Sequence, residues 1–217
     1  MIKIIIVDDH ALFRQGIRSL IENENIGEVI AEANNGQVFI DLLNTHQPDL
    51  VMMDIEMPVM KGYEAIKLAK IIQPDIRILV LTMLSEKAKF HEMINAGAMG
   101  YLLKSAGKEE LEKAIKVVMK GELYLSNELI RQIVLDMDSA TNPEKNKQVQ
   151  KNISMSEREK EVLNQFCQGL TVNEIAEKLF LSPKTIEAHR STLIKKTNTK
   201  NTINLILYAI KYNLVSI

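Results

Sequence analysis

Cysteine is nearly absent: Cys167 stands alone among 217 residues. A lone thiol excludes a disulfide framework and a Cys-rich zinc site, and it suits a reducing compartment. Set between Phe166 and Leu170's turn, with nothing basic beside it, Cys167 reads as a small core residue. Long hydrophobic runs are missing as well. No stretch approaches the ~18 apolar residues of a membrane span. The apolar run in MIKIIIVDDH is too short for a signal-peptide core and runs straight into acids. The expectation is a soluble, cytoplasmic chain. Nor does charge of one sign prevail: 27 Lys+Arg against 28 Asp+Glu give a formal net charge of −1. Taken whole, that balance predicts no polyanionic partner. The histidines His10, His46, His91 and His189 share no metal-ligand spacing, and His10 and His46 read as surface or cap residues.

What is present is ample apolar material. At 46% hydrophobic and 25% charged, the chain can bury one large core or two small ones. Two textures divide it. Over residues 1–122, short Ile/Val/Leu runs alternate with helical patterns. The runs are Lys3–Val7, Glu28–Ala33, Leu50–Asp54, Ile78–Thr82 and Gly100–Leu103. They lack period-2 alternation, as strands covered on both faces do. Helical patterns fall at Ala11–Glu22, Gln37–Thr45, Tyr63–Ile72, Glu86–Ala96 and Glu109–Met119. A five-fold alternation predicts a parallel sheet with helices on both faces. Its site is expected beyond the C-terminal strand ends, where the strand order reverses.

Residues 123–152 read as a linker with one possible helix, Glu128–Met137, followed by the polar run SATNPEKNKQVQKN. Residues 153–217 read as all-helical. Ser156 with Glu159, and Thr171 with Glu174, make two capping boxes. Ser182 before Pro183 is an N-cap with proline at the first helical position, Asn201 caps the last helix, and Gly169 closes the first. The second helix is expected over Thr171–Phe180, joined tightly to the third.

Chemistry gathers at the predicted strand ends. Asp8 and Asp9 follow the first strand, Asp54 ends the third, Thr82 ends the fourth and Lys104 follows the fifth. Each alone has a bland reading as a cap, a strand hydroxyl or a surface charge. Together they place three carboxylates on one edge, which repel one another unless a cation neutralises them. Hard oxygen ligands suit Mg²⁺. A lysine and a hydroxyl beside a metal-bound carboxylate suit phosphoryl transfer, with Asp54 as nucleophile.

The segments IIIVDDH, DLVMMDIEMPVMKG, ILVLT and GYLLKSA, in that order, resemble the receiver domain of two-component response regulators. The resemblance spans about residues 1–122 and implies a flavodoxin-like fold with a five-stranded parallel sheet. It implies that Asp54 is the phosphoacceptor and that Asp9, Asp54 and the backbone carbonyl of Glu56 ligate Mg²⁺, with Asp8 acting through water. Thr82 and Lys104 would contact the phosphoryl group, and Tyr101 would be an aromatic switch coupled to Thr82. Ser105 stands where many receivers carry proline.

On the third C-terminal helix, from Pro183 to about Thr197, Ile186, Leu193 and Thr197 fall on one side at 100° per residue. Lys184, Ala188, Ser191 and Lys195 fall opposite, flanked by Glu187 and Thr192. A face of short, polar and basic side chains can approach a groove floor. The lysines reach phosphates, while Ser191 or Glu187 reaches base edges. Arg190 falls nearer the apolar side, its head expected on the backbone or on an acid. The bland alternative is a solvated helix on a small bundle. The stretch from MSEREKEVL to LIKKT resembles the DNA-binding domain of LuxR-type regulators, also called the NarL/FixJ class, over about residues 155–217. That resemblance puts Lys184, Thr185, His189 and Lys195 on phosphates, and Glu187, Ala188 and Ser191 on bases. It implies a dimer aided by Leu205, Ile206, Ala209 and Ile210 of the last helix. NTKNT stands where the family often has glycine and a later arginine.

The resemblance implies a phosphorylation-controlled transcription regulator, not an enzyme in its own right. Its partners would be a sensor histidine kinase, double-stranded DNA and a second copy of itself. An aspartyl-phosphate phosphatase, or a receiver that controls a protein partner without DNA, are the alternatives. The charge balance then resolves into parts. Residues 1–122 carry 14 basic and 18 acidic groups, whereas residues from Ser182 onward carry 6 basic groups and one acid.

Overall fold

The computed structural model describes residues 1–83, 96–130, 154–212 and 214–215. Two compact units divide the chain, Met1–Tyr124 and Leu125–Ile217. The expected helices Glu86–Ala96 and Glu128–Met137 and the polar run after the second lie wholly or largely outside the described residues.

From the N-terminus the described elements are β1 (Lys3–Val7), α1 (Ala11–Asn23), β2 (Glu28–Ala33), α2 (Gly36–Leu42), β3 (Leu50–Asp54), α3 (Gly62–Ile72), β4 (Arg77–Thr82), β5 (Gly100–Leu103), α4 (Lys108–Met119) and, at the boundary of the two units, β6 (Tyr124–Leu125). The sheet runs β2-β1-β3-β4-β5-β6, and β1 to β5 pair in parallel. β6 is a sixth, two-residue edge strand where the sequence suggested the start of a linker. Its residues Tyr124 and Leu125 are buried; two residues are too short to carry a periodic signal.

The apolar runs lack alternation because both sheet faces are covered. β3 is buried at every position, and β1 at every position but Lys3. On one face Ile4, Ile6, Leu50, Met52, Leu79 and Leu81 pack with Ile21 of α1 and with Leu111, Ala114, Ile115 and Val118 of α4. Alternate positions such as Ile5, Val51, Met53 and Val80 face the other way, the side where α2 and α3 pack together.

The chain leaves β1 for β2 on one side and returns to β3 on the other, so the order reverses between β1 and β3. Register then places the chemistry. Val7 pairs with Met53, so Asp8 and Asp54 emerge side by side at that switch point. Asp54 pairs with Leu81 and Thr82 with Leu103, so Lys104 emerges along the same edge.

Four helices of the second unit lie wholly within the described residues: α5 (Glu157–Cys167), α6 (Val172–Lys178), α7 (Pro183–Thr197) and α8 (Thr202–Lys211). Both capping boxes form, at Ser156 with Glu159 and at Thr171 with Glu174. Ser182 and Asn201 also cap with their side chains. α6 stops at Lys178, two residues short of the expectation. Phe180 takes a left-handed conformation with φ 54°, and the Leu181 N–H closes back on the Ala176 carbonyl. Arg158 donates to the Leu179 carbonyl at 2.8 Å, satisfying a carbonyl at that helix end. Among the described residues no helix is long and apolar enough to cross a membrane.

Candidate functional site

Asp8, Asp54 and Lys104 meet in a buried cluster. The Lys104 ammonium lies 2.7 Å from Oδ2 of Asp8 and 2.7 Å from Oδ2 of Asp54, with all three side chains at most 3% exposed. The second oxygen of Asp54 accepts the Ile55 N–H at 2.7 Å. That of Asp8 accepts the His10 N–H at 2.8 Å. Backbone bonds fix the strand ends: Asp8 N–H donates to the Ala33 carbonyl, and Lys104 N–H to that of Thr82. Lys104 also lies 5.1 Å from the ring centroid of Phe13, one helical turn into α1.

Asp9 and His10 form the open rim. His10 Nδ1 stands 2.8 Å from an Asp9 oxygen and 3.1 Å from an Asp8 oxygen. Thr82 is buried, and its hydroxyl donates to the Met83 carbonyl at 3.1 Å. Tyr101 is fully buried on β5, where it pairs with Val80. Burial pushes its phenol far above the ordinary range. Glu56 is half-buried, its carboxylate 3.6 Å from the Lys61 ammonium. Among the described residues every peptide bond is trans, including the one that joins Lys104 to Ser105.

The electrostatics show a shortage of positive charge. Burial raises the Asp54 carboxyl, and the Asp8 charge adds to that. The hydrogen bond and charge of Lys104 oppose both, and the outcome is about 6. Burial alone would lower the Lys104 ammonium, but its bonds to Asp54 and Asp8 outweigh that and raise it. Oxygens of Asp8, Asp9 and Asp54 and a nitrogen of His10 all lie within 4.8 Å of one another. Three carboxylates facing one ammonium fit a divalent cation in both charge and donor type.

In the second unit α7 is set against α5, α6 and α8. Ile186, Leu193 and Thr197 are buried. Lys184, Glu187, Ala188, Ser191, Thr192 and Lys195 are exposed, while Thr185 and His189 are half-buried. The Thr185 and Ser182 hydroxyls share a hydrogen bond at 2.8 Å. Arg190 is half-buried and reaches an acid, Glu187, at 3.4 Å. Lys196, beside Lys195, is tied down: it donates to the Ser154 carbonyl at 2.9 Å and to Glu159 at 2.7 Å. Leu205, Ile206, Ala209 and Ile210 are buried within this one chain. They pack in the core of the helical bundle, the bland reading of this stripe, and Asn204 and Tyr208 of the same helix stay half-exposed.

Two residues of the edge escaped the sequence reading. Phe13 carries no motif signal, because its position over Lys104 depends on how α1 crosses the sheet. His10 read as a surface or cap residue, and it does stand exposed at the cap position of α1; what that reading lacked is the turn of its ring toward Asp8 and Asp9.

Residues 4–116 match the family described as the response regulator receiver domain, and residues 153–209 match the bacterial regulatory proteins of the luxR family. The chain is 38% identical over 212 residues to the transcriptional regulatory protein YhcZ of Bacillus subtilis, covering 98% of this chain and 97% of the relative. It is 34% identical over 215 residues to the oxygen regulatory protein NreC of Staphylococcus carnosus, covering 98% and 99%. Among solved structures, the response regulator ChrA of a heme-sensing two-component system matches with a TM-score of 0.54 at 28% identity, covering 99% and 98%. The response regulator RcsB in complex with DNA matches at 0.57 and 28%, covering 97% and 98%.

Proposed function

The chain belongs to the response regulators with a LuxR-family DNA-binding domain and is a DNA-binding transcriptional regulator, and from that premise we propose that a sensor histidine kinase controls it by phosphorylating Asp54. The observation that carries this reading is the buried trio at the switch point, two carboxylates 2.7 Å from one ammonium. An Asp54 oxygen attacks the phosphorus of a phosphohistidine. The P–N bond breaks, and an acyl phosphate forms.

Asp9, Asp54 and the Glu56 carbonyl would hold Mg²⁺, with Asp8 acting through water. When bound, that ion neutralises the charge of the transferred group. Lys104 is held by Asp8 and Asp54, beside the Phe13 ring, where its ammonium pairs with the arriving phosphoryl oxygens. Thr82 offers its hydroxyl from the end of β4. Its reorientation, coupled to Tyr101, biases a two-state equilibrium of the receiver.

The output is binding of promoter DNA as a homodimer in the cytoplasm. Lys184, Thr185, His189 and Lys195 hold phosphates. Glu187, Ala188 and Ser191 face bases, and Arg190, paired with Glu187, lies at the rim of that face. The exposed side of α7, short and basic, supports this assignment.

The test is to incubate the protein with Mg²⁺ and a small phosphodonor and to locate the label by mass spectrometry. Labelling at Asp54, lost in Asp54→Ala, is the expected result. An unchanged yield in Asp54→Ala removes the phosphoacceptor.

A further inference from the structure

His10 brings a different kind of atom to the acidic edge. It sits at the cap position of α1 but makes no side-chain cap. Its Nδ1 is instead 2.8 Å from Asp9 Oδ1 and 3.1 Å from Asp8 Oδ1. The placement is fixed from the backbone, since the His10 N–H holds the same Asp8 oxygen at 2.8 Å. The ring is 64% exposed, so packing does not stop it from turning its nitrogen lone pair into the cluster.

The donor chemistry then divides. Asp8, Asp9 and Asp54 offer hard oxygens, which suit Mg²⁺. An imidazole nitrogen adds little for Mg²⁺ but favours borderline dications, of which Zn²⁺ is the commonest partner of histidine. The four ligand atoms already lie within 4.8 Å of one another. A strand end that bends through Asp8, Asp9 and His10 therefore brings donor atoms from three consecutive residues to the cation, Asp8 through water and the other two directly, and β3 adds Asp54.

We propose that His10 Nδ1 is a metal ligand, which makes the cation site of this receiver a site for Zn²⁺-like dications that compete with Mg²⁺. The proposal rests on the reading of Asp8, Asp9 and Asp54 as the cation site. It has a definite rival: His10 as a counter-cation to the acids. A counter-cation opposes every dication alike, whereas a ligand discriminates between them.

The experiment uses the full chain with ¹⁵N-labelled histidine, as wild type and as His10→Asn. Zn²⁺ and Mg²⁺ affinities are measured by calorimetry, and the imidazole nitrogens are followed by NMR. The expected result has two parts. Zn²⁺ shifts the His10 Nδ1 resonance and Mg²⁺ does not. His10→Asn weakens Zn²⁺ by at least ~10-fold, the scale lost when even a supporting partner of a metal ligand is removed, and leaves Mg²⁺ unchanged. The proposal is overturned if the variant binds both ions as wild type does, if it binds both more tightly, or if the Zn²⁺ shift is confined to His46, His91 and His189. If wild type binds Mg²⁺ normally in those cases, only the His10 role fails. If wild type binds no Mg²⁺, the cation-site reading fails with it.

Discussion

Lys104 Nζ stands 2.7 Å from Asp54 Oδ2, with both side chains almost wholly buried. The same nitrogen is also 2.7 Å from Asp8, so one ammonium serves two carboxylates. Coulombic attraction in a buried site is strong, but a buried charge without a full partner is costly. The edge is thus built to be short of positive charge until a cation arrives. Asp54, raised to about 6 by burial and by Asp8 against the pull of Lys104, shows where that shortage falls.

Asp54→Asn should therefore stabilise the receiver in metal-free buffer. The folded carboxyl titrates near 6 and the unfolded one near 3.8, so the unfolded chain gives up its proton first. The fold weakens as pH rises between those values. At ~1.4 kcal/mol per pH unit, the gain from asparagine is at most about 3 kcal/mol. It is absent below pH 3.8 and complete above about 6. Urea midpoints across that range, taken with a chelator present, check it. A gain that does not vary with pH would remove the argument.

Lys104→Met should do the opposite. Methionine fills similar space but leaves Asp8 and Asp54 buried against each other, at a cost of about 3–5 kcal/mol. Millimolar Mg²⁺ should return part of this by binding only the folded state. The variant's melting temperature should then rise more with Mg²⁺ than the wild type's does. Equal midpoints with Mg²⁺ and with chelator would count against a cation at this edge.

Much of this edge was legible because its signals are local or follow from register. Fully apolar strands imply a covered parallel sheet, and a parallel sheet brings Asp8, Asp54, Thr82 and Lys104 to one edge. Capping boxes span four residues, so Ser156–Glu159 and Thr171–Glu174 could be read directly. What escaped depends on distant packing. Lys196 pairs with Glu159 across 37 residues of sequence, and Phe13 meets Lys104 only through the placement of α1. The apolar stripe of α8 was ambiguous in principle, since a bundle core and a dimer face have the same periodicity. Phe180 was misplaced because a left-handed aromatic gives no composition signal of a helix end.

Adjacent lysines on α7 should separate by function. Lys195 is exposed on the polar face, so Lys195→Ala should weaken DNA binding and flatten the salt dependence by about one unit of slope, with the fold intact. Lys196→Ala should leave the slope alone and cost about 1 kcal/mol of stability, since its partner Glu159 is buried while the lysine is about one-third exposed. Burial alone would raise the Glu159 carboxyl, but Lys196 and the Ser156 N–H hold it below its ordinary 4.5. The contribution of the pair is therefore present above pH 4.5 and lost as pH falls through the lower folded value. Thermal melts and salt titrations on the same variants separate the two effects. A reduced salt slope in Lys196→Ala would place that lysine on DNA instead.

The loop after Asp54 contains two positions whose substitutions should act in opposite directions. Val59 has φ 68° and is 85% exposed. A β-branched residue in that region is strained by roughly 1–2 kcal/mol, and its exposed side chain returns little packing energy. Val59→Gly should release part of this and raise the free energy of unfolding by up to about 1 kcal/mol, less the entropy of the added freedom, read as a higher urea midpoint. Gly62 is the reverse case. Its Cα faces the end of β3, where a Cβ would overlap the Asp54 carbonyl and lie 3.0 Å from the Ile55 Cα. The Gly62 N–H donates to the Ile55 carbonyl at 2.9 Å, so the helix start cannot withdraw without losing that bond. Gly62→Ala must then push the Asp54 backbone, at about 1–3 kcal/mol. Because the displaced atoms belong to the nucleophile's own residue, phosphodonor labelling should slow even at temperatures where the variant is fully folded. Normal labelling in folded Gly62→Ala would mean that Asp54 tolerates the shift, and the close contact would then matter to stability alone.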